Sequence, residues 1–474
     1  MKLRKFGIVL IITAISLAGC ATFQPKPISP EQTAAVFEAR TLDSPGLKKF
    51  MAINLRHEIA PWPPEAWTFP MLTLAAFYYN PELDLARARW RAAEAGVITA
   101  GGRPNPSLGF IPEFNANTAS GVSPWIFTPT FDIPIETAGK RGYRVAEAKH
   151  LSEAARLEVA TAAWQVRSRL RTRLLDLYAA TQKQTLLAKQ QGDQEEIVKL
   201  LEQRLEAGEA SQPDVTQARI TLYQTNLGLR DAQKQSAEAR VRVADALGLP
   251  VQALDQVALS SDTFARVPPM TDLPRQNIQR QALLSRPDLL GALAEYAASQ
   301  SALQLEIAKQ YPDIHLGPGY QWDQGDNKWS FGISLTLPVV NQNQGPIAQA
   351  EAKRKQAGAS FAALQAGIIG EIDRFLAGYR AALRKLATAD ALLAEQKKQL
   401  QSVEELFKAG AADRLALGGA RLELDAIELS RSDTLISAQQ SLGRVEDSMQ
   451  RPIAPEEFPA NLETNPRPEK GNTE

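Results

Sequence analysis

Three histidines, His57, His150 and His315, and one cysteine, Cys20, are the only imidazoles and thiol in the chain. They stand at no spacing that would gather them as metal ligands, so no resident metal and no cofactor is expected. Gly317-Pro318-Gly319 has small residues suited to a tight backbone approach, but it lacks the rest of a phosphate loop. The nucleophile elbow of serine hydrolases and the paired-histidine helix of zinc proteases do not occur. Carboxylate pairs such as Glu195-Glu196 and Glu404-Glu405 fall on polar faces of helix-like segments, where solvation accounts for them. These side chains assemble no catalytic constellation, and the chain reads as something other than an enzyme.

Cys20 has a different use. Lys2, Arg4 and Lys5 precede an apolar run from Phe6 to Leu17, the charged and hydrophobic parts of a secretory signal. Leu17-Ala18-Gly19-Cys20 then resembles the lipobox of bacterial lipoproteins. The plainer alternative is an ordinary signal peptide with a chance cysteine, but a unique cysteine at the cleavage position favours the lipobox. That resemblance implies removal of residues 1–19, a palmitate-bearing lipid on Cys20, and outer-membrane sorting, because Ala21 rather than Asp follows.

The elements that carry these residues are bounded by composition. Lys plus Arg and Asp plus Glu number 53 each, which leaves no net charge to attract nucleic acid. After the first twenty residues no apolar run is long enough for a membrane-crossing helix. A β-barrel remains open, since its strands carry only a weak alternating signal. Residues 20–66 are rich in proline and read as an extended tether with little regular structure. Residues 452–474, again proline-rich and charged, read as a disordered tail.

The body between them is duplicated. Asn80-Pro81-Glu82-Leu83 recurs as Arg286-Pro287-Asp288-Leu289, Ile133-Pro134-Ile135 as Leu337-Pro338-Val339, and Ala207-Gly208 as Ala409-Gly410. The offset shrinks from 206 to 204 to 202, each step falling where a turn belongs. This divides the chain into a first repeat, 67–247, a linker, 248–273, and a second repeat, 274–451. Each repeat reads helix, two strands, long helix, tight turn, helix. Pro81 starts a helix to about Arg103. From Tyr143 to Ala207 there is no proline, and Val159, Ala163, Val166, Leu170, Leu174 and Leu177 form a three-and-four stripe. The second long helix runs from Ile347 to Lys408, with Leu364, Ile368, Ile372, Phe375, Tyr379, Ala382 and Leu386 as its stripe. Helices of this length span about 95 Å at 1.5 Å per residue, too long for one globular core.

The strand segments alternate. Trp125, Phe127, Phe131, Ile133 and Ile135 interleave with Thr128, Thr130 and Asp132, and the apolar positions from Trp329 to Val339 interleave with Ser330, Gly332, Ser334 and Thr336. Between them Ile314, Leu316, Tyr320 and Trp322 share one face, and His315, Gly317, Gly319, Gln321 and Asp323 the other. A soluble sheet packed on helices would alternate too. The small, weakly charged polar face favours a water-filled lumen, and four strands cannot close a barrel unless several copies join.

These features together resemble the TolC family of outer-membrane efflux channels across Trp67 to Pro452. The carriers are the two duplicated openings, Arg103-Pro104-Asn105-Pro106 before the first strand and Gly139-Lys140-Arg141 after the second. Gly325-Asp326-Asn327 and Asn341-Gln342-Asn343-Gln344-Gly345 are most similar to the cobalt–zinc–cadmium, or heavy-metal, branch. The resemblance implies a mainly α fold with a small β-barrel part. It implies a homotrimer with a twelve-stranded barrel in outer-membrane lipid and a helical periplasmic tunnel. The turns at Gly208 and Gly410 would meet a membrane-fusion adaptor and a pump of the resistance–nodulation–division type. Where the family prototype has an acidic constriction beyond the second turn, this chain has Ala416 and Gly419. Asp214 and Asp413, beside the two turns, are the pore-tip candidates; both also suit a helix start. His315, on the polar face, is either a solvated pore histidine or a contact for a metal ion in transit. A periplasmic adaptor or coiled-coil scaffold that forms no pore is the alternative reading. It would have a single helical hairpin without duplicated strand pairs.

Overall fold

Proline opens six of the helices at their first or second position, where its missing N–H costs no hydrogen bond. The computed structural model describes residues 22–270 and 274–453. The elements are α1 (Pro30–Glu38), α2 (Pro45–Leu55), α3 (Phe69–Tyr79), α4 (Pro81–Ala100), β1 (Ser107–Phe114), β2 (Trp125–Ile135), α5 (Lys140–Glu206), α6 (Gln212–Leu247), α7 (Arg275–Ser285), α8 (Pro287–Ala308), β3 (Ile314–Asp323), β4 (Asp326–Leu335), α9 (Gln344–Lys408) and α10 (Arg414–Met449). The chain divides into two units, one ending at Thr41 and one beginning at Leu42. In the first, α1 is capped by Ser29, whose hydroxyl accepts from Gln32 N.

In the second unit the duplication is visible in the hydrogen bonds. Asn80 caps α4 and donates from Nδ2 to Ala246 O at 3.2 Å; Arg286, its counterpart before α8, donates from Nη1 to Ser448 O at 2.7 Å. Each therefore ties the start of one helix to the end of the helix that closes its own repeat. The turns repeat as well. Gly208 and Gly410 hold φ of +77° and +75°, and the amides behind them reach back to Arg204 O and Leu406 O at 2.7 and 2.8 Å. This left-handed stop is one that only glycine adopts without steric cost.

Helices α5 and α9 contain 67 and 65 residues, each about 100 Å long. The expected stripe on α5 is buried from Val159 to Leu174, with Leu177 partly so, and the α9 stripe centres on Ile368, Ile372, Leu376 and Tyr379. Among the described residues no helix is apolar enough to cross a membrane.

Three expectations need correction. The tether ends early: Leu42, Leu47, Phe50, Met51, Leu55 and Ile59 are buried in the main core with Phe69, Leu72 and Phe77. Prolines there begin helices, and the apolar residues of α2 recur at helical spacing, so burial outweighs the cost of ordering the chain. The linker is likewise part of the core. Trp67 pairs with Leu259 in a parallel bridge, and Leu254 and Phe264 are buried. Finally, β4 stops at Leu335, so Leu337 and Val339 lie beyond it; Pro338 offers no N–H to continue a ladder. Cys20, residues 271–273 of the linker and the tail from 454 lie outside the described residues.

Candidate channel wall and entrance

The sheet is an antiparallel meander in the order β1-β2-β3-β4, so β1 and β4 are its edges. Register sets the faces. Phe110 lies opposite Pro129, Phe127 opposite Trp322, Pro318 opposite Phe331, and Leu316 opposite Ile333, all on one side. That side is apolar from edge to edge apart from Asn327, and its β4 members Trp329, Phe331, Ile333 and Leu335 are exposed. Aromatic rings gather towards the hairpin ends: Phe110, Trp125 and Trp322 each pack on Phe127 with centroids 5.7 to 6.1 Å apart. An exposed apolar face with an aromatic rim is what a bilayer covers. The 11 residues of β2 extend about 36 Å, enough for a tilted strand to cross the hydrocarbon layer.

The opposite face carries small and polar groups that answer one another. His315 Nδ1 lies 3.0 and 3.1 Å from the two carboxylate oxygens of Asp132, Gln321 Nε2 donates to Thr128 Oγ1 at 3.2 Å, and Lys328 pairs with Asp323. Gly317 and Gly332 face each other in the middle. Ile111, Ile126 and Pro134 are the apolar exceptions on this side.

The motifs singled out in the sequence join this sheet to the helices. Lys140 Nζ donates to Asp313 Oδ1 at 2.8 Å and to Tyr311 O at 2.7 Å, while Arg141 Nε reaches Gly101 O at 2.7 Å. Burial works against ionising Asp313, but Lys140 and the Thr137 amide hold its carboxyl below the usual range. Asn343, left-handed at φ +63° like Gly139 in the first repeat, donates from Nδ2 to Glu306 O at 2.7 Å and so pins α9 to α8. Gln324 and Gly325 form the two-residue β3–β4 turn, both at positive φ. Around this junction is a cavity of about 800 Å³ that includes Glu136, Lys140, Arg144, Asp313, His315 and Asn341.

At the other end of the long helices the two candidate aspartates start helices. Asp214 completes a capping box on α6: its Oδ2 accepts from Ser211 Oγ at 2.6 Å and from Ser211 N at 3.0 Å, which lowers its pKa. Asp413 is the cap of α10. Its Oδ1 accepts from Ala416 N at 2.7 Å and its Oδ2 from Arg204 Nη2 at 2.9 Å; the amide bond first, then Arg204, depress its pKa. Arg204, in the last turn of α5, joins the tips of the two repeats and was not singled out from the sequence. Its one local signal is a basic residue at a helix C-terminus.

Two further polar nodes between the repeats also escaped the sequence. Arg167 and Arg171 of α5 both pair with Glu446 of α10, at 3.3 and 3.4 Å. All three are buried, and Arg167 also stacks over Phe69 and Trp164. Lower on the same helices, Lys189 Nζ lies 2.7 Å from the buried Asp425 and 3.1 Å from Glu428. Of the other histidines, His57 contacts Leu55 O and His150 lies on α5. Among the described residues no three metal-ligating side chains converge.

A sequence profile described as "Outer membrane efflux protein" matches residues 75–249 and 278–448, one stretch per repeat. The chain belongs to that family. Outer-membrane efflux proteins of the TolC type are channels rather than enzymes, and the apolar sheet face and helical body agree with that architecture. Among relatives, the cobalt-zinc-cadmium resistance protein CzcC of Cupriavidus metallidurans is 24% identical over 365 residues, covering 77% of this chain and 81% of the relative. The probable outer membrane lipoprotein SilC of Salmonella typhimurium is 23% identical over 265 residues, 52% of this chain and 57% of the relative. Among solved structures, VceC of Vibrio cholerae superposes with a TM-score of 0.63 at 18% identity, covering 81% of this chain and 97% of that one. CusC superposes with a TM-score of 0.64 at 16% identity, covering 90% and 99%. These likenesses carry the fold, and the family carries the function: an outer-membrane efflux channel, not a pore-less adaptor.

Proposed function

We propose that three copies of the chain close one twelve-stranded barrel, anchored by lipid on Cys20, and serve as the passive exit duct of a tripartite pump. The observation that supports this most directly is the four-stranded sheet with one apolar face, one polar face and two unpartnered edges. Lipid tolerates no open edge, so neighbouring copies must supply the missing ladder. The helical hairpins then line a periplasmic tunnel whose tips, at Gly208 and Gly410, meet a membrane-fusion adaptor and an inner-membrane pump of the resistance–nodulation–division type. Divalent metal ions are the proposed cargo, on the strength of CzcC, whose name reports cobalt-zinc-cadmium resistance. Purified protein should run as a heat-modifiable trimer and conduct ions in planar bilayers. A monomer that stays soluble without detergent and never conducts refutes the reading.

Asp214 and Asp413 belong to the same proposal as groups that shape the entrance or its docking surface. Three copies of each would encircle one axis, where like charges repel unless cations or basic groups of an adaptor relieve them. Replacing both by Asn should change cation selectivity, or weaken resistance while the trimer stays intact. If conductance, selectivity and resistance all match the wild type, the two residues only start helices.

A further inference from the structure

We infer that His315, held by Asp132, is a weak coordination point for borderline divalent cations such as zinc and cobalt on the inner wall of the barrel. The inference rests on the channel reading above, because only there does the polar face of the sheet line a lumen.

The geometry selects the tautomer. A carboxylate only accepts hydrogen bonds, so the imidazole nitrogen 3.0 and 3.1 Å from the Asp132 oxygens carries the proton and donates it. In the neutral ring this leaves the Nε2 lone pair as the acceptor, and among the described residues the hydrogen bonds of the ring run through Nδ1. A carboxylate on the far nitrogen is the arrangement that orients histidine ligands and raises their basicity. The register makes room for the pairing. Ile133 against Leu316 and Thr130 against Gly319 put Gly317 across from Asp132, where no side chain blocks the imidazole leaning over. Both partners are accessible, His315 at 38% and Asp132 at 48% of their side-chain surface, so a hydrated ion can approach.

Chemistry narrows the class of ion. Imidazole suits zinc, cobalt and copper, whereas magnesium and calcium take oxygen ligands and keep their water. Asp313 and Glu136, the other carboxylates around this cavity, are already paired with Lys140 and Arg144, so they add little free negative charge. One nitrogen per chain, with no third ligating side chain converging on it among the described residues, makes the site weak. Weakness is what a conduction path requires, since an ion must leave as readily as it enters. Three copies around the barrel would repeat the contact at one level, one strand residue in from the junction with the helices.

The test uses the full-length protein in detergent and in planar bilayers. Diethyl pyrocarbonate acylates unprotonated imidazole nitrogen, and mass spectrometry reads each histidine separately, with His57 and His150 as internal controls. Zinc should slow acylation of His315 and leave His57 and His150 unaffected, and magnesium at the same concentration should not. Asp132→Asn should weaken the zinc protection about tenfold, the usual scale for losing a carboxylate behind a ligating histidine. In bilayers zinc should lower the unitary potassium conductance of the wild type but not of His315→Gln. His315→Gln must itself form trimers that conduct normally in chelator. Equal protection by zinc and magnesium, or equal zinc block in His315→Gln, overturns this inference and leaves the channel reading in place. A preparation with no conducting oligomer overturns both.

Discussion

Asp425 offers a quantitative test of how the two repeats are held together. Its side chain on α10 is 1% exposed, facing Lys189 and Asp193 of α5, with Glu428 one turn along. Lys189 Nζ approaches Oδ1 at 2.7 Å, yet neither carboxylate oxygen gains a well-aligned hydrogen bond. Burial pushes the carboxyl up to about 6; Lys189 pulls it back, and the neighbouring Asp193 carboxylate raises it again. The sign follows. A carboxyl raised in the fold holds its proton more tightly there than in the opened chain. Its contribution is therefore intact below the ordinary value of 3.8, and is lost as the pH climbs from there through about 6. Two units correspond to about 3 kcal/mol, and screening through the half-exposed Lys189 reduces this to about 2 kcal/mol at pH 8. Asp425→Asn removes the penalty. Hydrogen exchange followed by mass spectrometry should show amides around 186–196 and 420–430 exchanging about 30-fold more slowly in the variant at pH 8. At pH 4.5 the ratio should shrink to about fivefold, because most of the folded wild-type carboxyl is then protonated. Equal protection at pH 8, or a ratio that ignores pH, refutes the reasoning.

Other outcomes follow from the same structure. Phe331→Arg on the apolar sheet face should cost about 2–4 kcal/mol of stability in lipid and Ser334→Arg much less, measured by denaturant unfolding from vesicles; similar losses would indicate a sheet buried in protein. Glu446→Ala removes the carboxylate shared by two buried guanidiniums and should cost about 3–5 kcal/mol, read from thermal melts followed by circular dichroism. An unchanged midpoint would mean that Arg167 and Arg171 are satisfied without it. Cys20→Ser should abolish incorporation of a palmitate analogue and leave precursor uncleaved, whereas equal label in mutant and wild type ends the lipoprotein assignment.

Much of this molecule is legible along the chain because it depends on near neighbours. The long helices follow from proline-free runs with apolar residues every three or four positions, and Gly208 and Gly410 end them because only a residue without Cβ takes φ near +75° freely. Asn80 and Arg286, though unlike in chemistry, are recognisable as equivalents by the Pro-acid-Leu that follows each. The two faces of the sheet follow from alternation alone, since a period of two puts every second side chain on the same side. His315 is placed on the polar face by that count, before any contact is known.

What the chain could not disclose is the azimuth and partner of each polar group. Arg167 and Glu446 are 279 residues apart, and Lys189 and Asp425 lie on helices whose rotation about one another is set by packing of the whole seam. On the linear sequence these four residues are indistinguishable from solvated charges on helix faces. The same holds for Arg204, which finds Asp413 only because both repeats turn at the same level. The segment from Leu42 to Ile59 shows the limit from the other side: its prolines suggest a loose tether, and only the presence of a core to receive Leu47, Phe50 and Met51 makes it structure. Short-range sterics and periodicity decide which elements form. Long-range burial decides which charges meet and which apolar residues are covered.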